Sequence, residues 1–273
     1  SSCDPQCPHL NARPSDTQLA ARRAESRTQY RLCKMRHTMV TSQPQPEPPP
    51  QGHLREHFHR QLAELQDTVL EMTSMVDRAI ERSLSALVNR DVPLAEAVIK
   101  EDRLVNEIGY RIQNQCVELL ARQSPLAGDL RLVVSVSALA TELERMADHA
   151  EGNAKIVVMM QNEPLVKPLV DIPIMAEKAR AMMNKAIQAF LDKDLDAAHE
   201  VDADDDEVDT LYDLIYGDLI QVMVNDPSKI EAATRLLWVA HNLERVGDRA
   251  TNIAERTVYT VTGQLPQMDV SSY

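Results

Sequence analysis

Aromatic side chains make up only 3% of the 273 residues, and glycine occurs seven times. Sheets are filled by aromatic and β-branched residues, so a β-sandwich or barrel is disfavoured. Cysteine is almost as scarce: there are four, and Cys3, Cys7 and Cys33 all fall in the first 52 residues. No disulfide framework follows, which fits a reducing compartment. The fourth, Cys116, lies in an apolar helical stretch and reads as a core residue. Cys3-x3-Cys7-x-His9 lacks the second ligand pair that a zinc site needs. No secretory apolar region opens the sequence. Even the stretch "LRLVVSVSALA" (130–140) contains Arg131 and two serines, so it is not a membrane span. The expectation is a soluble, cytoplasmic chain. A Gly-rich phosphate loop, a Ser/His/Asp or Cys/His arrangement and a basic aromatic stripe are also missing, which leaves no support for the common hydrolase, nucleotide-binding or nucleic-acid-binding classes.

What is present is helix-forming and acidic. Ala, Leu, Val, Met, Glu and Asp dominate, and hydrophobic residues reach 44%, enough for a core. The net charge is −13, unevenly placed: residues 1–52 hold seven Lys/Arg against four Asp/Glu, leaving −16 on the rest. Such a surface repels nucleic-acid phosphates and anionic lipid headgroups and suits basic protein partners or metal cations. Residues 1–52 also hold eight of the fifteen prolines, ending in "QPQPEPPPQG", without sustained periodicity. They read as a disordered or extended tail.

From His53 onward the pattern is helical. Leu62, Leu65, Val69, Met72, Val76, Ile80, Leu84 and Leu87 recur at spacings of three or four, one apolar stripe on a long helix. A second helix is predicted from Pro93 to Arg122 and, after the turn "QSPLAGD", a third over 127–161. "NEPLVKPLVDIP" reads as a linker. Helices near 172–192, 194–224 and 228–261 repeat the plan. The fold class is therefore all-α: two tandem antiparallel three-helix bundles, 53–161 and 170–265, with the first and fourth helices stacking to join them. Met72, Met75, Met159, Met160, Met182 and Met183 fall on apolar positions and read as core filler.

The duplication is written most plainly in "LERMADHAEGNA", ending at Ala154, and "LERVGDRATNIA", ending at Ala254. Residues 140–154 and 240–254 share seven identities in fifteen positions. A second alignment, offset by 103, pairs Asp91 with Asp194, Asp102 with Asp205 and Val105 with Val208. Positions i and i+4 share a helix face, so Glu144 neighbours Asp148 and Glu244 neighbours Asp248, at the rim of each bundle. Arg145 and Arg245 lie about 100° further round, placed to pair with carboxylates on the next helix or along the rim. Asp102/Asn106 and Asp205/Asp209 repeat the spacing on the preceding helix. Facing carboxylates of this kind hold iron, manganese or magnesium in helical bundles. Inter-helix ion pairs and solvated faces explain the same spacing, and both readings stay open. "DADDDEVD" (202–209) reads as a solvated helix start favoured by the dipole; it lacks the glycine and terminal Glu of a calcium loop. His241 shares the Glu244/Asp248 face as a candidate ligand, while His149 reads as a surface residue. "EHFH" (56–59) contains one Glu-x-x-His; a di-iron bundle needs two.

"LERVGDRATNIAER" and "LERMADHAEGNAK", with "SPLAGDLRLVVSV" (124–136) and "VIKEDRLVNEI" (98–108), resemble the PhoU family of bacterial phosphate-signalling proteins, over about residues 53–265. The resemblance implies two three-helix bundles and a cytoplasmic, non-enzymatic regulator. It implies action beside the ATPase subunit of a high-affinity phosphate ABC transporter and a membrane sensor histidine kinase, holding the starvation response off when phosphate is plentiful. A homodimer is also implied, peripheral to the membrane through its partners, with no membrane insertion and no nucleic acid. Some members bind iron or other metal clusters through acidic-x3-acidic motifs. The matching residues here are Glu144, Asp148, Glu244 and Asp248, with Asp102, Asp205 and Asp209 at the family's other acidic positions. Ala147 replaces the usual Gly before the motif Asp in the first unit, whereas the second keeps Gly247; Asn106 replaces an acid. If a single cluster forms, it is therefore expected on the second unit. A ferritin-like oxidase and a metal-free structural adaptor are the competing readings.

Overall fold

The computed structural model describes residues 51–161 and 165–264, with side chains from Glu56 onward. The helices are α1 (Gln51–Asn89), α2 (Val92–Gln123), α3 (Gly128–Met159), α4 (Asp171–Asp192), α5 (Leu195–Asn225) and α6 (Ile230–Thr262), with a 3-10 turn at Pro227–Lys229 before α6. Among the described residues there is no strand, and no helix is long and apolar enough to cross a membrane. The all-α expectation holds, with boundaries within a few residues of those read from the sequence. The proline-rich segment and the Cys3/Cys7/His9 spacing lie outside the described residues, apart from Gln51 and Gly52, which belong to α1.

The two repeats open with the same turn. Arg90 and Lys193, at matching positions, both take φ of 57° and end α1 and α4 in left-handed conformation. The next residues, Asp91 and Asp194, then cap the following helix: each accepts a 3.0 Å bond from a backbone N–H three residues on, that of Leu94 or Ala197. A side-chain acceptor at this position satisfies one of the donors a helix leaves unpaired at its start. The Asp91/Asp194 alignment therefore marks a shared cap.

The α1 stripe is buried as its spacing predicts: Leu65, Val69, Met72, Val76 and Ile80 have no exposed surface. They meet Ile112 of α2 and Leu139 and Leu143 of α3 in the core. In the second repeat Met175, Met182, Met183 and Phe190 of α4 pack with Leu236, Val239 and Leu243 of α6. Each fully buried side chain of this size contributes roughly 1.5–3 kcal/mol relative to exposure. One methionine departs from its expected role. Met159 is 62% exposed: it is the last residue of α3 and lies in the wall of an open groove rather than in the core.

Two contacts join the repeats. Asp77 of α1 takes a bidentate pair from Arg180 of α4, at 2.9 and 2.8 Å, which agrees with the expected meeting of the first and fourth helices. The second is an antiparallel seam of α3 on α6, which nothing in the sequence announced. Asn242 donates to Asn153 at 2.9 Å, Arg249 pairs with Glu142 at 3.5 Å, and Thr260 donates to Ser135 at 2.9 Å. The seam maps onto itself when the repeats are exchanged: Asn242 meets Gly152, and the matching Glu142 meets Asn252. A contact present together with its image defines a pseudo-twofold axis, the arrangement of an isologous dimer inside one chain.

Candidate functional site

Glu244 and Asp248 project from α6 toward α5, which supplies Asp205 and Asp209. Burial first, then the charges of Asp209, Asp248, Asp202 and Glu244, push the Asp205 carboxyl up to about 7. Asp209 is raised by burial and by Asp248, Asp206 and Asp213, and Asp248 is raised by burial against the pull of Arg245. Burial is the leading cause for all three, and the charge of Asp248 adds to it at Asp205 and Asp209. Asp205 Oδ1 is buried and makes no hydrogen bond. It fits because position 247 is glycine: a Cβ there would stand 2.9 Å from that oxygen.

Glu244 does not sit at the rim. It is 1% exposed, and His241 Nδ1 lies 3.3 Å from its Oε2. The rim position expected from the i, i+4 spacing is corrected by the packing: α5 closes over the first turn of the motif, where the sequence shows only a polar residue beside an apolar stripe. Asp248 does lie at the edge, paired with Arg245 at 2.5 Å on its own helix.

The first repeat builds the same motif differently. Asp102 is raised by burial and by Glu151 and Asp148, while Asn106 donates to its Oδ2 at 3.0 Å and leaves Oδ1 buried without a partner. Asp148 lies on the exposed side of α3, and the partial burial of its carboxyl, then Glu151, raise it. Glu151 was not among the expected residues; it stands seven positions after Glu144, two turns along the same face, and its matching residue is Thr251. Glu144 departs from this group and points at α2, where a Cβ on Gly109 would come within 3.6 Å of its Oε2. A cavity of about 60 Å³ beside Asp102 is lined by Glu151 and Ala147 but also by Arg78 and Arg82. Arg78 opposes a bound cation there, whereas Arg82 is paired with Glu101.

His149 is not the surface residue expected. The seam covers it, so burial, together with Arg249, Arg245 and His241 nearby, lowers its imidazole to about 4 despite a hydrogen bond with Asn242. A histidine looks exposed when its helix is read alone; the antiparallel α6 supplies the missing cover. Parts of the acid run 202–209 are also spoken for: Lys178 of α4 pairs with Glu207, and Lys185 pairs with Asp204 at 2.7 Å. Glu56 and His59, the lone Glu-x-x-His, are both exposed on α1. Cys116 is buried, and burial pushes its thiol up to about 12, which makes it inert.

Hard oxygen donors, an orphaned buried carboxylate oxygen and carboxyls raised chiefly by burial in the second repeat fit a divalent or trivalent cation by chemistry. Among the described residues, however, no three His, Cys, Asp or Glu side chains converge so as to hold an ion. Asp205, Asp209, Glu244 and Asp248 are assembled on two facing helices without being closed into a coordination shell.

The family model described as PhoU domain matches residues 69–157 and 172–257, one copy on each repeat. A phosphate-specific transport system accessory protein PhoU homolog of Clostridium acetobutylicum is 36% identical over 218 residues, covering 80% of this chain and 99% of its own. That of Aquifex aeolicus is 34% identical over 206 residues, covering 76% and 93%. Among solved structures, PhoU from Pseudomonas aeruginosa superposes with a TM-score of 0.72 at 32% identity, over 76% of this chain and all of that one. The phosphate transport system regulatory protein PhoU from Streptococcus pneumoniae gives 0.72 at 30%, over 77% and all.

Proposed function

The chain belongs to the PhoU family, and from that premise we propose that it is a cytoplasmic, non-enzymatic adaptor that holds the phosphate-starvation response off when phosphate is plentiful. In this reading it stands between the ATPase subunit of a phosphate ABC transporter and a sensor histidine kinase, and modulates uptake. The observation that carries it is the doubled Glu-x3-Asp motif on matching turns of α3 and α6, in a fold whose relatives are named as phosphate transport accessory proteins. The helical bundles of the described residues suit an adaptor, since long helices present extended faces to partners. Its acidic charge would speed and orient docking onto basic patches more than it would supply affinity.

Alkaline phosphatase activity in phosphate-rich medium tests this. In a strain lacking the gene, activity rises; wild type silences it, and a variant with Glu144, Asp148, Glu244 and Asp248 all changed to Ala does not. No rise in the deletion would sink the regulatory reading. Silencing by the variant would return the motif to packing and solvation.

A second reading is favoured by the orphaned Asp205 oxygen: iron or another di- or trivalent cation held by Asp205, Asp209, Glu244 and Asp248. A bound cation would neutralise the carboxylate cluster. Asp205 would then give up its proton, and Arg245 would hold Asp248 in place. The first-repeat residues Asp102, Glu144 and Asp148 are the weaker set, with Asn106 in place of an acid and Arg78 alongside. Metal content after loading and desalting, compared between wild type and Asp205→Asn, tests it.

A further inference from the structure

Few aromatic residues exist in this chain, yet several gather in one exposed place on the second repeat. Tyr216 and Trp238 are 45% and 58% exposed. Ring centroids run in sequence from Tyr216 to Tyr212 at 6.3 Å, Tyr212 to His241 at 6.3 Å, and His241 to Trp238 at 5.9 Å. The result is a continuous ledge across α5 and α6.

Packing does not need rings here, and the duplication supplies the comparison. The matching positions of the first repeat are Gln113, Gly109, Thr141 and Ala138, and that bundle closes without them. Exposed aromatic area that the fold does not require marks an interaction surface.

Beside the ledge, where α3 and α6 part, runs an open groove of about 880 Å³ walled by Ile156, Met159, Ile230 and Trp238, with Gly152 and Asn242 at its inner end. Its ions are matched: Lys155 pairs with Glu151 and Arg235 with Glu231, each at 2.5 Å. The groove wall is therefore apolar and charge-balanced. The far side of the ledge is not, because the exposed Asp213, with Asp209 beside it, lies next to Tyr212.

We propose that ledge and groove form a docking surface for a basic amphipathic helix of a partner protein. Its apolar stripe would lie in the groove beside Trp238 and Met159. Its Lys or Arg side chains would cross the rings of Tyr212 and Tyr216 toward the carboxylates. Rings stack on guanidinium and ammonium groups, and neighbouring carboxylates pair with them, so the combination selects cations over other polar groups. A helix lying in a groove reads as anchors at i, i+3, i+4 and i+7. A second copy of this chain is the poorer occupant, since each copy would bring the same carboxylates and a net charge of −13. This inference rests on the adaptor reading and assigns it a face.

The single tryptophan makes the test direct. Full-length protein is titrated with a synthetic helical peptide of about 18 residues, Leu at i, i+3, i+4 and i+7 with Arg on the flanks. Two control peptides carry the same composition scrambled, or Glu in place of Arg. The expected result is a blue-shifted Trp238 emission with the Arg peptide, weakened by added salt. Met159→Glu and Tyr216→Ser, both at exposed sites that leave the core intact, should each weaken binding about tenfold, as at an interface hot spot. Leu130→Glu, at the position matching Ile230, should not. Equal binding of the scrambled peptide, indifference to Met159→Glu, or a concentration-dependent dimer that Met159→Glu abolishes would each overturn the proposal. In cells Met159→Glu should also fail to silence alkaline phosphatase. Silencing by it would overturn the ledge while leaving the regulator standing; absence of derepression in the deletion would instead fell the adaptor reading.

Discussion

Asp205 lays its carboxylate against the backbone of α6 at Gly247, where a methyl would come within 2.9 Å of Oδ1. The first repeat carries that methyl, as Ala147. Gly247→Ala should therefore displace the Asp205 side chain. Helix propensity gains about 1 kcal/mol from the change, and the strained contact offsets part of it, so thermal stability should move little. Cation affinity should not be spared: calorimetric titration with Mn²⁺ should show a loss of about tenfold, comparable to removing the support of a ligand. Unchanged affinity would remove Asp205 from the ligand set.

The same carboxylate makes stability depend on pH in a definite direction. Its folded-state ionisation is raised from 3.8 to about 7, so the folded chain binds more protons than the unfolded chain between those values. The contribution to stability is fully present below pH 3.8 and is lost as pH rises through about 7. His149 works in the opposite sense. Lowered from 6.5 to about 4, it contributes stability that is present above pH 6.5 and lost as pH falls through about 4. For metal-free protein, Asp205→Asn should raise the melting temperature at pH 8 and leave it unchanged near pH 3.5. His149→Asn should flatten only the acid limb. Melting curves of wild type and both variants across this range, with chelator present, check the signs.

Most of the helix plan was legible in the sequence, because a three-to-four apolar period and a proline in the first turn of α2 are local signals. Leu65, Val69 and Met72 form a stripe in the sequence and are buried as one. The pairing of Glu244 with Asp248 was legible for the same reason. What the sequence did not show were the consequences of helices meeting. His149 loses its water to α6, Glu244 loses its own to α5, and Met159 keeps exposure because it faces an open groove at the end of α3. Glu151 escaped because its matching residue is Thr251, so a search for shared acids passes over it.

The two matching turns offer a test of backbone strain. Arg90 and Lys193 hold φ of 57°, a left-handed conformation that side chains with a Cβ adopt at a cost and that glycine adopts freely. Both are helix ends at which glycine is the common residue. Arg90 also bonds Gln161 at 3.1 Å, a contact its replacement would lose. Lys193→Gly is therefore the cleaner change: relieving about 1–2 kcal/mol of left-handed strain, against about 0.5–1 kcal/mol of glycine's entropy cost, leaves a small net gain. Arg90→Gly should gain less. Chemical denaturation of the two variants side by side separates strain relief from the lost contact.

Asp77 and Arg180 are matching residues of the two repeats that face each other across the pseudo-twofold axis. In a symmetric pair of identical units, each would meet its own copy, and two like charges would repel. Divergence after duplication has made them complementary, and Arg180 holds the Asp77 carboxyl below its usual range. Their side chains are each 24% exposed, so the pair is partly shielded from water. Breaking it with Asp77→Asn should cost about 1–2 kcal/mol, between the values for surface and buried ion pairs. Asp77→Arg alone should cost more, since it sets two cations face to face. The double exchange, Asp77→Arg with Arg180→Asp, restores the pair in mirror order at an axis that treats the two sites alike. It should recover more than half of the loss. Recovery will fall short of complete because the flanking residues have also diverged: Glu81 lies 3.6 Å from Arg180, while its counterpart Asn184 bonds Asp77 at 3.2 Å. Denaturation of the two single variants and the double variant closes the cycle. A double variant no more stable than the worse single one would show that the repeats are held by the α3–α6 seam and that this pair is incidental.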